Sequence, residues 1–231
     1  MCLALMATSV LGQDANQKPQ PSASPQPSSD TTAFGQSKRI FGIVPNYRTD
    51  ILPNPYTPLS TRQKFVIASQ DSFDRGTVVL AAGFAGESQL TNSNRPFGQG
   101  AAGYGRYFGT SLADFVIGDY MTEAIYPSLL HQDPRYFSKL KGSAWSRLGY
   151  AAGQIFITHG DNGRMQFNFS EILGNSTAVA ISQAYYQDNR DATDAGIKLV
   201  EQLGVDAAAN VLKEFWPDIQ RKMHHHREAS K

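Results

Sequence analysis

Residues Ala101 to Pro127 read AAGYGRYFGTSLADFVIGDYMTEAIYP. Tyr104, Phe108, Leu112, Phe115 and Ile125 supply apolar bulk with no alternating strand pattern, which predicts a helix from Ala101 or Ala102 to about Tyr126. Pro127 lacks an amide hydrogen and ends or kinks it. Gly105 and Gly109 form a small-residue step, continued by Gly118. In membranes such a step brings helices together, and in soluble bundles it marks tight packing. Tyr104, Phe108 and Leu112 flank it, so the expectation is a buried seam.

Working outward, Ser60 and Gln63 have capping-box spacing and open an earlier helix that runs to about Leu90. Phe65, Ala68, Ser72 and Val79 fall roughly on one face, Asp71 and Arg75 can pair outside, and VLAAGFAG (79–86) suits close packing. Thr91 to Gly100 is a loop by composition, and Leu129 to Gly142 is irregular. Ser143 caps a helix through Ile157, followed by a turn at His159 to Gly163. Asn168 with Glu171 opens a further helix to about Tyr186, and a last one ends at Phe215 before Pro217. The predicted fold class is all-α, a bundle of about five helices held by small-residue packing.

An extended Pro-rich strap at 39–59 precedes the helical domain at 60–216. Pro45, Pro53, Pro55 and Pro58 push it to extended geometry, and Ile40, Phe41, Ile43 and Val44 are its expected anchors. Residues 1–12 read as a signal peptide lacking a basic start, and 13–38 as a disordered Pro/Ser/Gln linker that buries too little surface to offset its ordering entropy. Residues 217–231 read as a basic C-terminal tail.

With 21 Lys plus Arg against 20 Asp plus Glu, no large field exists to attract nucleic acid. The only cysteine, Cys2, falls in the leader, so thiol chemistry, disulfides and zinc–thiolate sites are excluded from a mature chain. No later stretch has the apolar length of a membrane-spanning helix.

Four patterns invite a chemical reading. Gly98 to Gly103 spells GxGxxG, but a polar loop precedes it where a dinucleotide site needs a strand, so it reads as a Gly-rich helix start and no nucleotide is expected. Gly174 to Ala178 (GNSTA) approaches the serine-hydrolase elbow, yet its pattern is helical. Asp119 and Glu123 share a helix face with His131 and Asp133 downstream, a set able to hold a divalent cation or do acid–base work. Solvated or capping residues are the competing account of these four. His224, His225 and His226 belong to the tail, which cannot preorganise a closed metal site. No cofactor is assigned.

SQDSFDRG (69–76), GYGRYFG (103–109), HQDPRYF (131–137) and FNFSEILGNS (167–176) together resemble a family of uncharacterised exported proteins of soil bacteria. The resemblance implies bacterial origin and export, and implies no chemistry. Three functions stay open. The first is a non-enzymatic cell-envelope protein, periplasmic or outer-membrane-associated, acting at a membrane interface or by self-association. The second is a periplasmic hydrolase or metal-dependent enzyme built on Asp119 to Asp133, and the third a carrier of an apolar ligand.

Overall fold

The computed structural model describes residues 38–186, 188 and 191–229, with side chains to Met223. The leader and almost all of the linker read from the sequence lie outside the described residues, as do the three tail histidine side chains. Of the described residues 64% are helical. Its helices are α1 (Thr61–Ser72), α2 (Arg75–Thr91), α3 (Gly100–Asp119), α4 (Ala144–Gly153), α5 (Phe169–Ser182) and α6 (Ala192–Ala229). Three two-stranded pairs make it mostly helical rather than all-α. They are β1 (Arg39–Ile40) antiparallel to β2 (Val44–Pro45), β3 (Thr49–Asp50) parallel to β4 (Tyr136–Phe137), and the hairpin of β5 (Ile157–His159) with β6 (Met165–Phe167).

The local capping signals act as expected. Ser60 and Gln63 close a reciprocal capping box on α1, Ser143 accepts from Ser146 at the start of α4, and Asn168 accepts from Glu171 at the start of α5. The helix expected from Ser60 to Leu90 is broken at Phe73 and Asp74. Asp74 adopts extended geometry and accepts from the Gly76 amide at 2.6 Å, because a short carboxylate satisfies a helix start better than a helix interior. The buried face of α1 is Lys64, Ala68, Asp71 and Ser72, whereas Phe65 and the α2 residue Val79 are exposed. Asp71 therefore points inward rather than pairing with Arg75 on the surface.

The strap is pinned by that same cap. Arg39 donates twice to Asp74 at 2.8 Å through Nε, and Tyr47 donates to it at 2.8 Å. A Cβ on Gly76 would fall 1.6 Å from the Ile43 carbonyl oxygen, so only glycine lets the strap cross here. Of the four expected anchors Ile40 is fully buried, while Phe41 and Ile43 are exposed.

Pro127 does not end its helix. α3 continues through a π-helical turn, Tyr120–Ile125, into a last turn, Tyr126–Leu129, whose start accommodates the proline without loss. Pro217 likewise lies inside α6, which runs on to Ala229. The expected seam at Gly105 and Gly109 is absent, since both are exposed and a Cβ on either meets nothing within 4 Å. Close glycine packing occurs instead at Gly103 against the Gly98 carbonyl and at Gly174 against Thr122.

α2 packs chiefly on α3, α6 packs on α4 and α5, and α5 and α1 both pack on the π turn. Ala85, Phe97 and Tyr107 form a small apolar core with Phe108 and Tyr186 against it. Much of the interior is polar: Lys64, Gln132, Glu214, Asn94 and Asp133 are among the largest fully buried side chains. No helix among the described residues is long and apolar enough to cross a membrane.

Candidate functional site

A cleft of about 860 Å³ opens between α2 and α3 on one side and α5 and α6 on the other. That volume is in the range of small-molecule sites, roughly 300–1,000 Å³. Phe84, Phe115, Val179, Ile197 and Val205 give it apolar walls, and Arg48, Asp119, Glu123, Asn175 and Asp206 are polar lining residues.

That polar part is built from every layer of the fold. The π turn of α3 carries Glu123, whose Oε1 lies 3.3 Å from Nη1 of Arg48 on the strap. Asp71 of α1 adds its charge to that of Glu123. Asp119 accepts from Ser72 Oγ at 3.0 Å and lines the cleft. Across from them Asn175 Nδ2 donates to both Glu171 of α5 and Asp206 of α6, at 3.3 and 3.1 Å, and so holds the two carboxyls together. Lys213 of α6, itself buried, is the second cation of the group.

Crowding these carboxyls in a buried space favours their protonated forms. Burial first and Asp71 second push Asp119 up to about 8. Burial and then Asp206 push Glu171 up to about 8, and burial with Asp71 raises Glu123 well above the ordinary range. Burial, reinforced by Arg48, lowers Lys213 to about 8. Burial disfavours charge on Arg48, but Glu123, Glu171 and Asp206 outweigh it and hold the guanidinium charged.

Higher on the wall, Asp114 of α3 accepts from Tyr186 at 2.6 Å and from Tyr185. Burial raises Asp114 against those two bonds, and burial lowers Lys198, whose ammonium lies 4.0 Å from the Tyr186 ring centroid.

Arg48 Nε, Glu123 Oε2, Lys198 Nζ and Gln202 Oε1 are buried without a hydrogen-bond partner among the described residues, and all four residues line the cleft. A buried polar atom left unpaired costs about 1–3 kcal/mol. Their presence on the walls of one cleft leaves that surface able to take polar groups from outside the chain.

The four residues singled out from the sequence divide. Asp119 and Glu123 join the cleft. Asp133 is locked elsewhere, accepting from Arg135 at 2.7 Å and from Tyr56 at 2.6 Å, where it fastens the strap to β4. His131 has a side chain 84% exposed and lies 3.7 Å from Asp161, which is held by Lys64 at 2.8 Å. The chain turns sharply after α3, with His131 at φ +52°, and this carries both residues away. Among the described residues no group of three or more His, Asp or Glu is placed to hold a metal ion.

Gly98 to Gly103 follows a single 3-10 turn, Arg95–Phe97, and starts α3, while Gly174 to Ala178 lies inside α5, where Ser176 Oγ donates to the Ile172 carbonyl. Sequence reading missed Arg48, Asp71, Glu171, Asp206 and Lys213. The signal that finds one of them is the polar stripe Glu171, Asn175, Ser182 along α5, all three buried.

Fold and site together define a mostly helical protein with a deep cleft, apolar at its walls and charged within. No protein family, curated protein or solved structure matches the chain.

Proposed function

We propose that the protein is a non-enzymatic component of the bacterial cell envelope that binds an amphipathic small molecule in this cleft. The observation that carries the reading is the set of four unpaired buried polar atoms, two donors and two acceptors, all on residues lining one largely apolar-walled space. A polar head that donates to the Glu123 and Gln202 oxygens, with an apolar body along Phe84, Phe115 and Val179, uses both parts of the lining. The leader-like start and the four motifs that resemble those of an exported family favour an envelope location. Phe84, Ile197 and Val205 line the cleft and are also exposed, which suits a mouth turned to a lipid interface.

Gly118 provides the test. It lines the cleft, and a Cβ there meets nothing within 4 Å, so Gly118→Leu fills the space without disturbing the fold. Titration with an environment-sensitive naphthylamine probe is expected to show saturable binding to the parent chain that weakens at least about tenfold in the variant. Binding unchanged by Gly118→Leu, or no saturable binding to the parent, would overturn the reading.

A further inference from the structure

At and behind the inner end of the cleft lie more carboxyl groups than the cations among them neutralise. Arg48 from the strap, Asp71 from α1, Asp119 and Glu123 from α3, Glu171 from α5, and Asp206 and Lys213 from α6 act on one another, five carboxyls against two cations. Glu171 and Asp206 are drawn together by the shared Asn175 donor, and Asp71 adds its charge to Asp119 and Glu123. Carboxyls crowded and buried in this way resist full ionisation, so protons are favoured on part of the set. Excess negative charge is thus held as bound protons.

Glu123 shows where a ligand reaches this store. Its side chain is 3% exposed, it lines the cleft, and its Oε2 has no partner. Asp119, one turn before it, lines the same space. The walls continue the sign: Glu87, Asp114, Asp194 and Glu201 face a single further cation, Lys198. An anionic head would add charge where charge is already in excess, whereas a cation relieves it.

Resting on the carrier reading above, we propose that the ligand's head is an alkylammonium-type cation and that it enters beside Asp119 and Glu123 in exchange for protons held by the cluster. The carboxyl O–H bond breaks, its electron pair stays on oxygen, and the proton leaves to solvent. The ammonium N–H groups then donate to the freed carboxylate, so charge balances and no further reactant is needed. The level of about 8 at Asp119 places that exchange at neutral pH.

The test is calorimetric titration of the full chain with decylamine, decanol and decanoate, each below its aggregation concentration, in two buffers of different ionisation enthalpy. Decylamine is expected to bind at least about tenfold tighter than decanoate. It should release about one proton per ligand near neutral pH and bind more tightly as pH rises from about 6 to about 8. Asp119→Asn should cut the proton release, and Glu123→Gln serves as an independent variant if the first folds poorly. Equal binding of all three compounds, or decylamine binding with no buffer dependence, overturns the exchange while leaving the carrier in place. If none of the three binds, the carrier reading falls, and the exchange with it.

Discussion

Arg48 Nη1 stands 3.3 Å from Glu123 Oε1, an ion pair that joins the strap to the π turn at the end of α3. Both side chains are buried, so removing one leaves the other in a low-dielectric space crowded with carboxyls. Arg48→Leu is expected to destabilise by about 3–5 kcal/mol at neutral pH. The loss should shrink in acid, where the carboxyls left without the guanidinium take up protons instead of remaining unpaired anions. Urea melts at about pH 5 and about pH 8 check this, and an equal loss at both would mean that the guanidinium acts through packing alone.

The buried carboxyls also set the sign of stability against pH. Asp119 and Glu171 are raised to about 8, mainly by burial, whereas in the unfolded chain both give up their protons near the ordinary carboxyl range. Between those limits the folded chain binds more protons, so stability is greatest below the unfolded value and declines as pH climbs through the folded one. Lys213, lowered to about 8 by burial and Arg48, works in a higher window: its contribution is complete above 10.5 and lost as pH falls through about 8. The melting temperature is therefore expected to drop between about pH 5 and about pH 8, and Asp119→Asn to flatten the slope by up to about 1.4 kcal/mol per pH unit. A melting temperature that rises over this range would contradict the buried protons.

What was legible in the sequence is what acts locally. Ser60, Ser143 and Asn168 cap helices through bonds to residues three positions on, so spacing alone reveals them. The cleft is not of that kind, since its charges come from positions as far apart as Arg48 and Lys213, and each looks like an ordinary solvated charge in its own stretch. Asp119 and Glu123 were found because they fall one turn apart. His131 and Asp133 were wrongly joined to them because a sharp turn with φ +52° cannot be foreseen at a histidine.

The two kinds of glycine in α3 give a direct comparison. A Cβ on Gly103 would lie 2.2 Å from the Gly98 carbonyl oxygen, a backbone atom that cannot rotate away, whereas one on Gly109 meets nothing. Gly103→Ala is expected to destabilise by about 1–3 kcal/mol through overpacking. Gly109→Ala should stabilise by up to about 1 kcal/mol, since alanine restricts the unfolded chain and favours helix. Thermal melts of the two variants separate these outcomes, and a destabilised Gly109→Ala would reveal a packing partner outside the chain.

The last prediction concerns how α6 continues through Pro217. A proline inside a helix withdraws one amide donor, crowds the carbonyl four residues earlier, and loosens the turn that contains Glu214. Arg147 of α4 reaches that turn: its Nη2 donates to the Glu214 carbonyl at 2.5 Å and its Nε to Glu214 Oε1 at 2.8 Å, while its guanidinium lies 4.5 Å from the Phe215 ring centroid. The Glu214 carboxylate is fully buried and also accepts from Tyr136 and from the amides of Lys139 and Leu140, so α6 is clamped to the body of the protein at the point where its own ladder is weakest. Arg147→Met is expected to cost about 3–5 kcal/mol, because it leaves a buried carboxylate without its counter-ion. Pro217→Ala restores the missing donor and should itself be neutral or stabilising by up to about 3 kcal/mol. If Arg147 compensates for the proline, its removal must cost less in the Pro217→Ala background than in the parent, a coupling of about 0.5–3 kcal/mol in a double-mutant cycle. Urea melts of the four chains give that number, and additivity within about 0.5 kcal/mol would show that the clamp and the proline are independent.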